Sequence, residues 1–75
     1  MAGRKTSAPK VRQFSASKLE ETRKDKGITR RVLSDAVGVT EMTIYNWCIG
    51  QSIPDANQGL RLAAALGVEY DSLLV

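Results

Sequence analysis

Four glycines divide most of this 75-residue chain into short segments of similar length. They are Gly27, Gly38, Gly50 and Gly67. Glycine often lies just past the last residue of a helix, so each is predicted to end one. No segment between them alternates apolar and polar residues as a half-buried strand would. The pattern therefore predicts an all-α fold of short helices.

Each segment also carries a start signal. The predicted N-cap residues are Ser15, with Ser17 as a rival, then Thr29, Thr40 and Asp55. Asp55 with Gln58 has the spacing of a capping box. We expect five compact helices: one between Ser15 and Gly27, one over about 30–37, one over about 41–48, a fourth after Asp55, and a short last one in "VEYDSLLV".

The core is predicted from apolar residues at helical spacing. The second helix carries Val32, Leu33, Ala36 and Val37 at this spacing, and the fourth contains Leu60, Leu62, Ala63 and Leu66. Ile44 and Trp47 are expected on the inner face of the third helix, and Leu73 and Leu74 are expected to close the core. Gly59 interrupts the fourth helix, where glycine costs about 1 kcal/mol relative to alanine. We therefore expect that helix to be weak or bent.

The chain has one cysteine, Cys48, and no histidine. A disulfide within the chain and a Cys/His zinc site are therefore excluded, and no metal or cofactor is expected. Without a histidine base, a partner for the cysteine or a Gly-rich phosphate loop, we do not expect an enzyme. No apolar run is long enough for a membrane span or a signal peptide, which predicts a soluble cytoplasmic protein.

Positive charge is concentrated at the N-terminus. Residues 1–14 hold four basic residues and no acid: Arg4, Lys5, Lys10 and Arg12. Residues 15–75 hold seven bases and eight acids, a net charge of −1. The composition of residues 1–14 predicts a flexible arm. Its charge serves either solubility or attraction to a phosphate backbone.

The second and third predicted helices are joined by "VGVT", which is too short a connection for them to lie antiparallel. Gly38 can adopt the positive φ of a sharp corner, and Val39 can insert beneath it. This predicts a helix-turn-helix. The second helix of such a pair projects from the body and fits the major groove of DNA.

The segment "GITRRVLSDAVGVTEMTIYNWCIGQSIPDANQGLRLAAALGVEYDSLL" resembles the Cro/C1-type helix-turn-helix domains of the XRE family. The resemblance covers about residues 15–75. It rests on Ile28-Thr29, Leu33, Gly38-Val39-Thr40, Thr43-Ile44, Trp47, Gly50, Pro54, "LAAALGV" and the following "LL". It implies a lambda-repressor-like domain that binds operator DNA, usually as a symmetric dimer, with the third helix as the recognition helix.

The resemblance also implies roles for individual residues. The implied base-reading positions are Thr40, Glu41, Met42, Tyr45 and Asn46. The implied DNA-backbone positions are Arg30, Arg31, Thr43, Gln51 and Ser52. At the position of Arg30 the family commonly contacts phosphate and also braces the recognition helix. The side chains suit base edges, since asparagine can pair with adenine, glutamate can accept from cytosine, and an apolar group can pack on a thymine methyl. For any one of these residues, a solvated helix face is the alternative. Glu41 either reads cytosine or excludes wrong sites.

Two residues, Cys48 and Gly59, depart from the family pattern, and Gly59 stands where the family usually has an apolar residue. Many members end the recognition helix with Trp-Glu-x-Gly, and that glutamate pairs with an arginine on helix one. Here Cys48 stands at the glutamate position and Arg23 is retained. We expect Arg23 to pair with a neighbouring acid or to face solvent, and Cys48 to be a small packed residue.

The function predicted is a sequence-specific double-stranded DNA-binding transcriptional regulator, a repressor of phage or mobile-element type that acts in a bacterial cytoplasm by occupying its operator. The short chain is more like a Cro-type protein than a two-domain repressor. The basic arm is then expected to contact the DNA backbone or a minor groove. A homodimer, if formed, would use the last helix or the apolar end residues Tyr70, Leu73, Leu74 and Val75. The alternatives are an antitoxin-type regulator and a protein-interaction module that has lost DNA binding.

Overall fold

The computed structural model describes residues 13–75. This part of the chain contains four α-helices and one 3-10 helix, and no strand. They are α1 (Ala16–Lys26), α2 (Arg30–Val37), α3 (Glu41–Ile49), α4 (Ala56–Leu66) and the 3-10 helix (Tyr70–Leu73). The all-α prediction is confirmed, but the fifth expected helix is a single 3-10 turn. The four charges of the predicted arm lie outside the described residues.

All four predicted N-caps form as expected, with Ser15 rather than Ser17 capping α1. In each case the side-chain oxygen accepts a hydrogen bond from the N–H three residues later. Asp55 and Gln58 also complete the reciprocal capping box, at 2.8 and 2.9 Å. Local side-chain chemistry therefore sets where each helix begins. None of the helices in residues 13–75 combines the length and the apolar character that crossing a membrane requires.

The core is narrower than the sequence pattern indicated. Its fully buried side chains come from every helical element: Leu19, Leu33, Ile44, Leu62, Leu66 and Leu73. Val32 and Leu60, however, are 53% and 56% exposed, and Ala36 is exposed. A helix advances about 100° per residue, so a residue two positions before an inward one lies on the opposite side. Leu60 stands in this relation to Leu62, so it faces away from the core.

The corner between α2 and α3 is the predicted helix-turn-helix turn. Gly38 has φ 86°, and its N–H donates to the carbonyl of Ser34 at 2.8 Å. Val39 is half-buried against the core and also donates to Ser34, at 3.1 Å. A side chain at position 38 would strain this left-handed backbone. The turn therefore holds α3 at a fixed angle to α2, against which it packs.

The two ends of the described chain are hydrogen-bonded to each other. The N–H of Ser15 donates to Leu73 and the N–H of Val75 donates to Gln13, both at 2.7 Å. Phe14 lies between them and forms a single antiparallel bridge with Leu74. Leu73 and Leu74 are buried in this closure. They are therefore not available as the apolar dimer surface that the sequence suggested for the last helix.

Gly59 is a buried glycine in the middle of α4. A Cβ at this position would lie 2.5 Å from Cε1 of the Tyr70 ring, closer than non-bonded carbons approach. The glycine therefore makes room for Tyr70, which packs against the core from the 3-10 helix. The expectation of a weak or bent helix rested on propensity alone. In the structure α4 continues unbroken from Ala56 to Leu66.

Replacing Gly59 with alanine should lower the stability of the fold, although alanine favours a helix by about 1 kcal/mol. The added methyl group must displace the Tyr70 ring, and overpacking of this kind typically costs about 1–3 kcal/mol. In a Tyr70→Ala background the same substitution should instead be stabilising. Urea unfolding of wild type, the two single variants and the double variant shows whether the effect of Gly59→Ala on stability changes sign. Destabilisation of equal size in both backgrounds would contradict this account.

Candidate nucleic-acid interface

The outer face of α3, which we define as Thr40, Glu41, Met42, Tyr45 and Asn46, is turned away from the core. Met42 and Tyr45 are 64% and 42% exposed, and Glu41 is exposed as well. Ile44 and Trp47 on the opposite side are buried. The structure therefore brings the five implied base-reading residues together on one accessible surface. It presents apolar, amide and carboxylate groups with no basic side chain.

Two of the implied residues are partly engaged in building the helix. The hydroxyl of Thr40 accepts the N–H of Thr43 at 3.1 Å and lies 3.0 Å from its hydroxyl. Asn46 is half-buried, and its backbone carbonyl accepts from the N–H of Gln51 at 2.9 Å and of Ser52 at 3.4 Å. The side chains of Gln51 and Ser52 are exposed at the end of α3. This loop is thus fixed to the helix by its backbone.

The two residues of α2 with an implied contact to the DNA backbone differ in their surroundings. Arg31 is exposed. Arg30, at the first position of α2, lies over the neighbouring helix, with its guanidinium carbon 5.3 Å from the centre of the Tyr45 ring. This separation is within the range of a cation–π contact. Arg30 therefore contacts the outer face of α3 from the side.

A carboxylate that was not predicted from the sequence lies beneath this contact. Glu20 of α1 accepts from Nε and Nη2 of Arg23, each at 3.0 Å, and from Nη2 of Arg30 at 3.1 Å. Lys24 lies 3.7 Å away on the exposed rim. Arg23 also donates to the carbonyl of Ile28 at 2.9 Å. We call Glu20, Arg23 and Arg30 the Glu20 cluster, and it joins α1, α2 and the turn between them.

The electrostatics of the cluster follow from this geometry. The two hydrogen bonds from Arg23, with the charge of Arg30, lower the pKa of Glu20 from 4.5 to about 2, although partial burial opposes the shift. The same pairing raises the pKa of Arg23. A bidentate arginine–carboxylate pair is among the stronger polar interactions available to a protein. Glu20 is therefore an anion at any physiological pH.

The surroundings of Cys48 explain why it stands where many family members have a glutamate. It is buried on the inner side of α3. Burial, followed by its neighbour Glu20, raises the pKa of its thiol. A glutamate at position 48 would place a second carboxylate beside Glu20. In this chain α1 supplies the carboxylate that pairs with Arg23, and the small cysteine leaves room for it. The expectations of a neighbouring acid for Arg23 and a packed Cys48 are confirmed.

A local signal in the sequence could have identified Glu20. It stands three residues before Arg23 and four before Lys24, spacings at which side chains meet on a helix. The contact with Arg30 bridges two helices and has no local signature. Within residues 13–75 no group of three histidine, cysteine, aspartate or glutamate residues is placed to hold a metal ion.

A family model described as helix-turn-helix matches residues 19–73. The chain belongs to this family. The match spans all four α-helices except the first turn of α1, and includes the α2–α3 corner and the outer face of α3. The resemblance to XRE-type domains is thereby confirmed, and the chain is of the DNA-binding regulator class.

Two solved structures are similar to this helix-turn-helix chain. One is the P22 c2 repressor in complex with synthetic operator 9T in the presence of Tl⁺, with 29% identity and a TM-score of 0.75 over 83% of this chain and 94% of that one. The other is the restriction-modification controller protein C.AhdI from Aeromonas hydrophila, with 28% identity and a TM-score of 0.73 over 77% of this chain and 88% of that one. No curated protein sequence matches the chain.

The Glu20 cluster should make stability depend on pH in the acid range. Because the Glu20 pKa is lowered on folding, its stabilisation is complete above about pH 5 and is lost as the pH falls towards 2. The full shift corresponds to about 3 kcal/mol. Solvent screening at this partly exposed site reduces that to about 1–2 kcal/mol. We expect Glu20→Gln to be less stable than wild type at pH 7 and nearly equal to it at pH 2.

Glu21→Gln is the matched control, because Glu21 is the exposed neighbour of Glu20 on the same helix. Urea unfolding of all three proteins at both pH values measures the difference. A stability gap for Glu20→Gln that persists unchanged at pH 2, or an equal gap for Glu21→Gln, would contradict the assignment.

Proposed function

We propose that this protein is a sequence-specific double-stranded DNA-binding transcriptional repressor of Cro type that acts by occupying its operator in a bacterial cytoplasm. The observation that carries the proposal is the outer face of α3. It is a set of base-compatible side chains, four of them exposed and Asn46 half-buried, on a helix whose other side is anchored in the core. The likeness to an operator-bound repressor supports the same function.

In this proposal α3 enters the major groove, where each base pair presents a distinct set of donors and acceptors. Asn46 pairs with adenine, and Met42 or Tyr45 packs on a thymine methyl group. Glu41 accepts from a cytosine amino group or excludes sites that lack one. A base-specific contact of this kind discriminates by about 1–3 kcal/mol.

The phosphate backbone is contacted around this helix. The proposed contacts are Arg30, Arg31, Thr43, Gln51 and Ser52. Arg31, Gln51 and Ser52 are exposed, which supports this role. Thr43 and Arg30 are half-buried. Only part of the Arg30 guanidinium is accessible to DNA, because Glu20 and Tyr45 contact the rest.

The basic arm is proposed to supply much of the attraction to DNA. Residues 13–75 carry a net charge of −1, which gives little attraction to phosphates. The arm joins the body near the recognition helix, since the Cβ of Ala16 at the start of α1 would lie 3.8 Å from a Cβ added at Gly50, the C-cap of α3. Twelve residues span at most about 40 Å, so Arg4, Lys5, Lys10 and Arg12 are within reach of the flanking backbone or minor groove.

A homodimer on a two-fold symmetric operator would present two copies of α3 about one turn of DNA apart. Its contact cannot rest on Leu73 and Leu74, which are buried in the fold, whereas Val75 is exposed at the same end. Selection of bound sites from random DNA tests both the function and the symmetry. A palindromic site supports the dimer, and an asymmetric site supports a monomer.

Asn46→Ala and Met42→Ala should each weaken binding to the selected site. For Asn46 we expect a loss of about 5- to 100-fold together with relaxed preference at one base pair. Asn57→Ala is the matched control, because Asn57 is an exposed asparagine on α4. Gel shifts with selected and single-base-substituted DNA measure both effects. Absence of any wild-type binding to DNA would favour the alternative of a protein-interaction module.

Replacing the four arm charges with glutamine should flatten the dependence of log Kd on log salt by about 3 to 4 units, because about 0.9 counterion is released per phosphate contact. Thr6→Gln with Ser7→Gln changes the same arm without changing its charge and should leave the slope as it is. Titrations between about 50 and 200 mM salt measure the slopes. An unchanged slope for the charge-neutralised arm would refute its role in binding.

A further inference from the structure

We propose that Glu20 is a positioning residue for base reading, although it lies on α1 and outside the recognition helix. Its carboxylate holds Arg30, and Arg30 in turn holds the ring of Tyr45 in one orientation on the outer face of α3. The inference rests on the proposed function and assigns a specificity role to a residue outside the helix-turn-helix.

Glu20 is itself held in place by Arg23. Both of its oxygens accept from Arg23 at 3.0 Å, and Arg23 is tied through Nη1 to the carbonyl of Ile28. The Glu20 side chain is only 22% exposed. A carboxylate held by a planar bidentate partner and partly buried has little rotational freedom. It therefore offers Arg30 an acceptor at a defined place.

Glu20 and Tyr45 together set the position of Arg30. Nη2 donates to Glu20 at 3.1 Å, while the guanidinium carbon lies 5.3 Å from the Tyr45 ring centre. Nε is buried and has no hydrogen-bond partner among residues 13–75. Leaving a buried donor unpaired is unfavourable. The guanidinium is held between its carboxylate partner and its aromatic neighbour.

Tyr45 depends on this contact for its orientation. It is 42% exposed, so the fold alone does not fix its rotamer, and a surface tyrosine can adopt several. The contact with Arg30 stabilises one of them before DNA arrives. Ordering a side chain in advance lowers the entropic cost of binding.

Glu20 also limits how far Arg30 can act as a simple phosphate ligand. Neutralising the carboxylate would release a guanidinium that then binds any phosphate and raise the net charge of residues 13–75 by one. Glu20→Gln should therefore weaken binding to the selected site while leaving binding to unrelated DNA unchanged or tighter. A merely structural role would weaken both.

A double-mutant cycle tests the chain of contacts. We expect Glu20→Gln to reduce affinity for the selected site by about 3- to 10-fold in the wild-type background, the effect of losing one cation–π contact and its orientation. In a Tyr45→Ala background it should cause no further loss. In a Met42→Ala background, a matched change on the same face, the full loss should remain. Equal losses in both backgrounds would overturn the proposal.

Arg30→Lys is a second variant that keeps the charge but not the planar stack. It should give the same loss, again only when Tyr45 is present, so the proposal stays testable if Glu20→Gln folds poorly. A loss that is independent of Tyr45 would overturn it.

A measurement without DNA separates this inference from the proposed function. In the free protein, Glu20→Gln should shift the NMR signals of the Tyr45 ring and leave those of the Tyr70 ring in place. Unmoved Tyr45 signals would overturn the positioning of Tyr45. Failure of wild type to select any DNA site would overturn the proposed function, and the ring signals would still decide whether Glu20 positions Tyr45.

Discussion

The anchoring of α3 by Ile44 and Trp47 determines what the rest of this molecule can do. Both side chains are buried, so the rotation of the helix about its axis is fixed by the core. That rotation decides which residues form the outer face. The Gly38 corner fixes the angle of the helix, and the Glu20 cluster lies beneath one edge of it. In a small chain with one cysteine and no histidine, these packing constraints take the place of a disulfide or a zinc site.

Much of the architecture could be predicted from local sequence. The caps at Ser15, Thr29, Thr40 and Asp55 and the glycine stops depend on residues within one helical turn, and all form as expected. The outer face of α3 followed from the same periodicity. The burial of Ile44 and Trp47 on the opposite side is confirmed, whereas the contacts of the outer face with DNA remain a proposal. Local chemistry was therefore enough to place the elements and the candidate surface.

The errors arose where contacts join distant parts of the chain. Val32 lies on the apolar face that the residue spacing of α2 indicated, but each helix of so small a fold has few neighbours to cover a wide apolar face. Gly59 was expected to weaken its helix, because the Tyr70 ring that requires a residue without a side chain there lies on another element. Glu20 has a local partner in Arg23, yet its link to Arg30 depends on how α1 and α2 pack. Propensity scales contain none of this information.

The hydrogen bonds between Gln13–Ser15 and Leu73–Val75 have a consequence for how the protein is made. These two segments pair with each other, and Leu73 contributes a fully buried side chain to the core. In a chain growing from its N-terminus, residues 13–15 have no pairing partner until residues 73–75 leave the ribosome. We therefore expect a nascent chain to remain unable to present α3 until Leu73 and Leu74 have left the ribosome, so that a product cut short before Leu73 would not compete for the same sites.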